Sequence, residues 1–116
     1  MRRHITAFGL AFSGIWYAWR TQPNFVVHSL FTALVIGLGV TLEISHVEWV
    51  ALLLTVILVF VAEMINTSIE SMTNLITTEH RKNAKIAKDV SAGMVLTAVI
   101  GALIIGLVIF APKILR

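Results

Sequence analysis

The run VSAGMVLTAVIGALIIGLVIF, residues 90–110, carries no charged side chain at any position. Crossing about 30 Å of hydrocarbon at 1.5 Å per residue takes roughly 20 mostly apolar residues, so this stretch reads as a transmembrane helix. Two further runs, residues 25–42 and 50–62, also lack formal charge. Including their apolar flanks, the expected spans are about 25–42, 47–65 and 90–110. Backbone groups find no water in hydrocarbon, so all three are expected to be helices. Composition agrees: 58% of the 116 residues are hydrophobic and 13% charged, against about half and about a quarter in soluble domains. The sequence predicts one all-α integral membrane domain with no separate catalytic module.

The same composition excludes several function classes. Without cysteine there is no disulfide scaffold, thiol nucleophile or cysteine-held metal. A formal charge of +3 is too small and too scattered for a nucleic-acid partner. Charge placement instead sets orientation. Arg2, Arg3 and Arg20 precede the first span, and Arg81, Lys82, Lys85 and Lys88 separate the second from the third, whereas the turn at 43–48 has neither lysine nor arginine. The positive-inside rule puts the N-terminus and the 66–89 segment in the cytoplasm, with the short turn outside. Lys113 and Arg116 oppose this assignment and are outnumbered.

Residues 1–21 read differently. Ile5, Phe8, Phe12, Ile15, Trp16 and Trp19 recur at helical spacing, with Arg3, Thr6, Ser13, Tyr17 and Arg20 opposite. That pattern predicts an amphipathic helix on the membrane surface. A secretory signal is the competing reading of the basic start, but Ser13, Tyr17 and Arg20 interrupt the apolar stretch and no small-residue cleavage site follows. Pro23 ends this helix by pushing Gln22 out of helical geometry. Ala98, Ala102 and Gly106, four apart in the third span, form a small-residue stripe suited to close helix approach, either between copies in a homo-oligomer or within one chain.

The chemistry concentrates in AEMINTSIESMTN, residues 62–74. Glu63, Asn66, Glu70 and Asn74 stand at i, i+3, i+7 and i+11, so one helical face carries two carboxylates and two amides, with Thr67 beside them. An ionised carboxylate following Val59-Phe60-Val61-Ala62 costs about 2.5–3.5 kcal/mol at mid-bilayer and less near the interface. A base is one reason to keep it; pairing with lysines across a subunit interface is the plainer one. A second polar cluster, Glu79-His80-Arg81-Lys82-Asn83-Ala84-Lys85-Ile86-Ala87-Lys88-Asp89, leads into the third span. Asn83 is the expected cap of the following helix, and Lys85 with Asp89 the expected i, i+4 surface pair. Lys88 is expected at the depth of Glu70. Carboxylates and a lysine meeting at a membrane boundary are the parts of a magnesium–phosphate site. No Walker loop or protein-kinase motif is present.

Glu63-x-x-Asn66-Thr67-x-Ile69-Glu70, Glu79-His80 and Ala84-Lys85-x-Ala87-Lys88-Asp89, with Phe8-x-x-Ala11-x-x-Gly14-Ile15 in the first helix, resemble the signature of the small prokaryotic diacylglycerol kinase / undecaprenol kinase family. The resemblance implies a homotrimer of the bacterial inner membrane that uses ATP and Mg2+ to phosphorylate a membrane lipid alcohol, at sites between neighbouring subunits. It implies that Glu63 takes the proton from the lipid hydroxyl with Asn66 orienting the site. It gives Glu70 to magnesium, and Lys88, Asp89, Glu79, His80 and Arg3 with Glu70 to the nucleotide. Trp19, Asn24 and His28 would border the lipid. Gln22, a second metal ligand by position, replaces the family's usual glutamate, and Asn74 its usual aspartate. Asn24-x-x-x-His28 and Phe110-x-Pro112-Lys113 resemble the undecaprenol kinase branch more than the diacylglycerol kinase branch; His28 also reads as a hydrogen-bonded packing residue. Two readings from other classes stand beside this one. Glu63 and Glu70 would relay protons in a small ion or proton translocator, or Gln22 and Asn74 would mark a catalytically weakened membrane scaffold.

Overall fold

The computed structural model describes residues 2–116 and is helical almost throughout. Met1, the first residue of the expected N-terminal helix, lies outside the described residues. Four helices follow one another: α1 (Arg2–Thr21), α2 (Pro23–Thr41), α3 (His46–Ile76) and α4 (Lys82–Ile114). The last three are long and apolar enough to cross a membrane. Gln22 alone separates α1 from α2, extended at φ −106° and ψ 108° with Pro23 at the first helical position, as the proline demands.

The α2–α3 turn is built from its own backbone. Glu43 N–H donates to the Val40 carbonyl and Ile44 N–H to the Gly39 carbonyl, the paired bonds of a Schellman ending, with Glu43 in the left-handed region at φ 52°. Ser45 then opens α3 with a capping box: its hydroxyl accepts from Glu48 N–H, and Glu48 Oε1 accepts from Ser45 N–H.

α3 is packed most extensively against α4 and lightly against α2 and α1. Near the turn, Ile44, Leu52, Ile109 and Phe110 form the buried apolar cluster, with Val35, Leu38 and Trp49 against it. Lys113 Nζ lies 3.2 Å from Glu48 Oε1 at the same end. The lysine that opposed the orientation count is thus paired with the acid that opens α3. Elsewhere the bundle is apolar on its outside, with Leu30, Leu54, Leu103 and Leu107 all exposed, as befits lipid or further copies of the chain.

One expectation is corrected. Asn83 does not cap α4, because the helix begins two residues earlier with Arg81 in the cap position and no side-chain cap bond. Within 66–89, α3 runs on to Ile76 and α4 starts at Lys82, so only 77–81 breaks the helices. Thirty-one residues of α3 span about 46 Å, half again the hydrocarbon thickness, so Glu70 and Asn74 sit on a helical extension, as Lys85, Lys88 and Asp89 do at the start of α4, while Glu79, His80 and Arg81 lie in the break.

Gly39 is required by contact. A Cβ there would sit 2.7 Å from Trp49 Cη2 and 3.1 Å from Ile44 Cδ1. Gly39→Leu is expected to reduce stability by about 1–3 kcal/mol, read as a lower thermal midpoint of the purified protein in detergent.

Candidate active site

The polar row of α3 is buried unevenly. Glu63 is 1% exposed, the most deeply buried large side chain among the described residues, and Asn66 and Thr67 are buried beside it. Glu70 is half-buried and Asn74 exposed. The spacing that predicts one shared face therefore holds, and the face turns from dry to wet along its length.

At the level of Glu63 and Asn66, α3 is held from two sides. From α2, His28 Nε2 lies 3.2 Å from Glu63 Oε2. From α4, Ser91 Oγ lies 2.7 Å from Asn66 Oδ1, both residues being buried. Asn66 Nδ2 points on to Glu70 Oε1 at 3.4 Å. A carboxylate only accepts, so the amide must turn its N–H toward Glu70 and its oxygen toward Ser91. The Ser91 hydroxyl is therefore the donor. Sequence reasoning missed Ser91, whose only signal is a lone hydroxyl three residues after Lys88 in an apolar run.

Aromatic rings wall the His28 side. Trp19 meets Phe25 edge-on at 6.3 Å, Phe25 meets Phe60 at 5.0 Å, and Phe60 meets His28 at 6.3 Å. Between α1 and α3 lies an open cleft of about 490 Å³ bordered by Tyr17, Thr67, Ser68 and Ser71.

The second cluster lines another open cleft of about 550 Å³, bordered by Glu79, His80, Arg81, Lys85, Lys88 and Asp89. Glu79 pairs with Arg81. Lys85 pairs with Asp89, and that carboxylate, by hydrogen bond first and by charge second, holds the ammonium above its ordinary value. Lys88 donates to Asn74 Oδ1 at 2.7 Å, one turn beyond Glu70. Among the described residues no ion pair joins Lys88 to Glu70, so the two clusters adjoin within one chain without closing on each other.

The remaining expected site residues make no hydrogen bond to either cluster among the described residues. Gln22 is half-buried with its amide 3.4 Å from the Thr21 hydroxyl, and no hydrogen bond joins it to Glu70 among the described residues. Arg3, Asn24 and Trp19 are exposed. Among the described residues no three His, Asp or Glu side chains converge as a ready-made metal cage.

Ser91→Ala leaves the buried Asn66 oxygen without its donor and is expected to reduce stability by about 1–2 kcal/mol. Thr97→Ala is the control: its hydroxyl donates to the Gly93 carbonyl of its own helix on an exposed face, and its loss is expected to stay within about 0.5 kcal/mol. Thermal unfolding of the two variants in the same detergent checks the difference.

Comparison with known proteins places these features in context. Residues 9–110 match the family described as prokaryotic diacylglycerol kinase. Over 113 residues the chain is 39% identical to the undecaprenol kinase of Bacillus subtilis strain 168, covering 97% of this chain and 92% of that one. It is 37% identical over 112 residues to a diacylglycerol kinase of Synechocystis, covering 96% of this chain and 64% of the longer relative. The diacylglycerol kinase of Escherichia coli K12 is 29% identical over 102 residues, covering 88% of this chain and 84% of that one. With a match that spans most of its length and takes in both polar clusters, the chain belongs to the prokaryotic diacylglycerol kinase family.

Proposed function

We propose that this protein transfers the γ-phosphoryl group of ATP to the hydroxyl of a membrane lipid, with undecaprenol as its acceptor and diacylglycerol as the alternative. The observation that carries the reading is a dry carboxylate, Glu63, followed on one helical face by Asn66 and Glu70 and adjoined by Lys88 and Asp89. Undecaprenol is favoured by the 39% identity to the Bacillus enzyme over nearly the full length of both chains.

In this reading Glu63 accepts the proton of the lipid hydroxyl as the hydroxyl oxygen bonds to the γ-phosphorus. The bond from that phosphorus to the β,γ-bridging oxygen breaks, and its electron pair leaves on ADP. Lys88, Asp89, Glu79 and His80 hold the nucleotide in the cleft they line, with Arg3 contributing from α1. A magnesium ion takes one or two protein carboxylates and fills its shell with water and phosphate oxygens, so it needs no three-acid cage, and none is found among the described residues. Glu70, with the Gln22 amide oxygen, would hold that ion, which when bound offsets charge on the phosphates. An amide brings no negative charge, so Gln22 makes the site a weaker one.

The lipid enters beside Trp19 and Asn24, and its tail has an apolar cavity of about 270 Å³ next to His28, bordered by Phe31, Val35 and Val59. The chain acts as a homotrimer in the bacterial inner membrane, with α1 along the cytoplasmic surface and residues 66–89 facing the cytoplasm. Trimer formation is supported by the broad exposed apolar faces and by clusters that adjoin without closing in one copy.

Purified protein in mixed micelles, given magnesium and labelled ATP, is expected to label undecaprenol faster than diacylglycerol. Faster labelling of diacylglycerol selects the alternative, and folded protein that labels no lipid alcohol contradicts the proposal. Glu63→Gln is expected to reduce turnover by about 10²–10⁴-fold, the usual worth of a positioned base, while nucleotide binding persists. Normal turnover in that variant removes Glu63 as the base.

A further inference from the structure

We infer that His28 is the residue that aims Glu63: by donating to Oε2 it decides which carboxylate oxygen is left to meet the lipid hydroxyl. This rests on the reading of Glu63 as proton acceptor. His28 is the one ionisable residue of α2, and its Nε2 crosses between helices to the only large side chain below 2% exposure among the described residues. A carboxylate offers no proton in this contact, so Nε2 must carry one. The contact is thereby directional, with His28 giving and Glu63 receiving.

Geometry makes the ring a fixed donor. It is 16% exposed and stands edge-on to Phe60, which is itself held by Phe25. Among the described residues His28 makes the one hydrogen bond to the Glu63 carboxylate. Oε2 is committed to it and Oε1 is left for substrate. Without the donor, the carboxylate would turn about its last side-chain bonds, and neither oxygen would be held within hydrogen-bonding reach of the lipid hydroxyl. His28 does not exchange the substrate proton; it is a positioning residue.

Steady-state phosphotransfer by the full-length protein in mixed micelles tests this. His28→Ala is expected to reduce kcat by about 10- to 100-fold, the scale of a misplaced reacting group, with KM for MgATP and for the lipid within about twofold of wild type. His28→Gln, whose amide N–H can reach the same oxygen, is expected to recover most of the loss. If His28→Ala fails to fold, His28→Leu fills the ring volume without a donor and serves in its place. Wild-type kcat in the donor-free variant overturns the inference. So does a loss confined to KM for lipid, or a His28→Gln variant that is folded and as slow as His28→Ala. Glu63→Gln in the same assay separates the two ideas. If that variant is active, the reading of Glu63 falls and this inference with it; if it is inactive while His28→Ala turns over normally, only the inference falls.

Discussion

A carboxylate shut away from water is the constraint around which this small bundle is arranged. Glu63 sits where α2, α3 and α4 come to one level, bonded to His28 on one side, with Asn66 fastened to Ser91 on the other. A buried charge is tolerable only when paired, so α2, otherwise lightly packed against α3, is tied to it by an interaction that cannot be lost without stranding the acid. The other end of the bundle needs no such device. There an apolar cluster, a capping box and the Glu48–Lys113 pair close the α3–α4 hairpin. Stability is concentrated at one end and polar chemistry at the other.

The two long helices connect these ends and reach beyond the membrane's apolar thickness. Their extensions carry Glu70, Asn74, Lys88 and Asp89 as helical positions rather than as loop residues, which on our reading suits a site that meets both a lipid hydroxyl and a soluble nucleotide. Within one chain the lysine reaches Asn74 and not Glu70. On our reading, a neighbouring copy supplies what one copy leaves open.

Much of this was legible in the sequence, because the signals involved are local. Charge-free runs of the right length mark three helices, Pro23 marks the break at Gln22, and i, i+3, i+7 spacing puts Glu63, Asn66 and Glu70 on one face. Lys85 and Asp89 pair as their spacing predicts. What escaped is non-local. The partners of Glu63, Asn66 and Glu48 lie 35, 25 and 65 positions away in sequence, and no periodicity links them. Ser91 looks like a small residue in a span until α3 is laid against it. The start of α4 departs from the expected cap at Asn83 for a different reason: a good capping side chain is a preference, and here Arg81 takes the cap position without a side-chain bond.

On our reading the His28–Glu63 pair is kept for chemistry and not for packing. Buried pairs replaced together by apolar residues of similar volume commonly leave stability unchanged or raise it by about 1–4 kcal/mol. The direct measurement is therefore lipid phosphorylation and thermal unfolding of one protein, the double variant His28→Leu with Glu63→Leu. A thermal midpoint at or above that of wild type is expected, with no detectable transfer of phosphate to lipid. A double variant that unfolds earlier yet still phosphorylates lipid would contradict that reading.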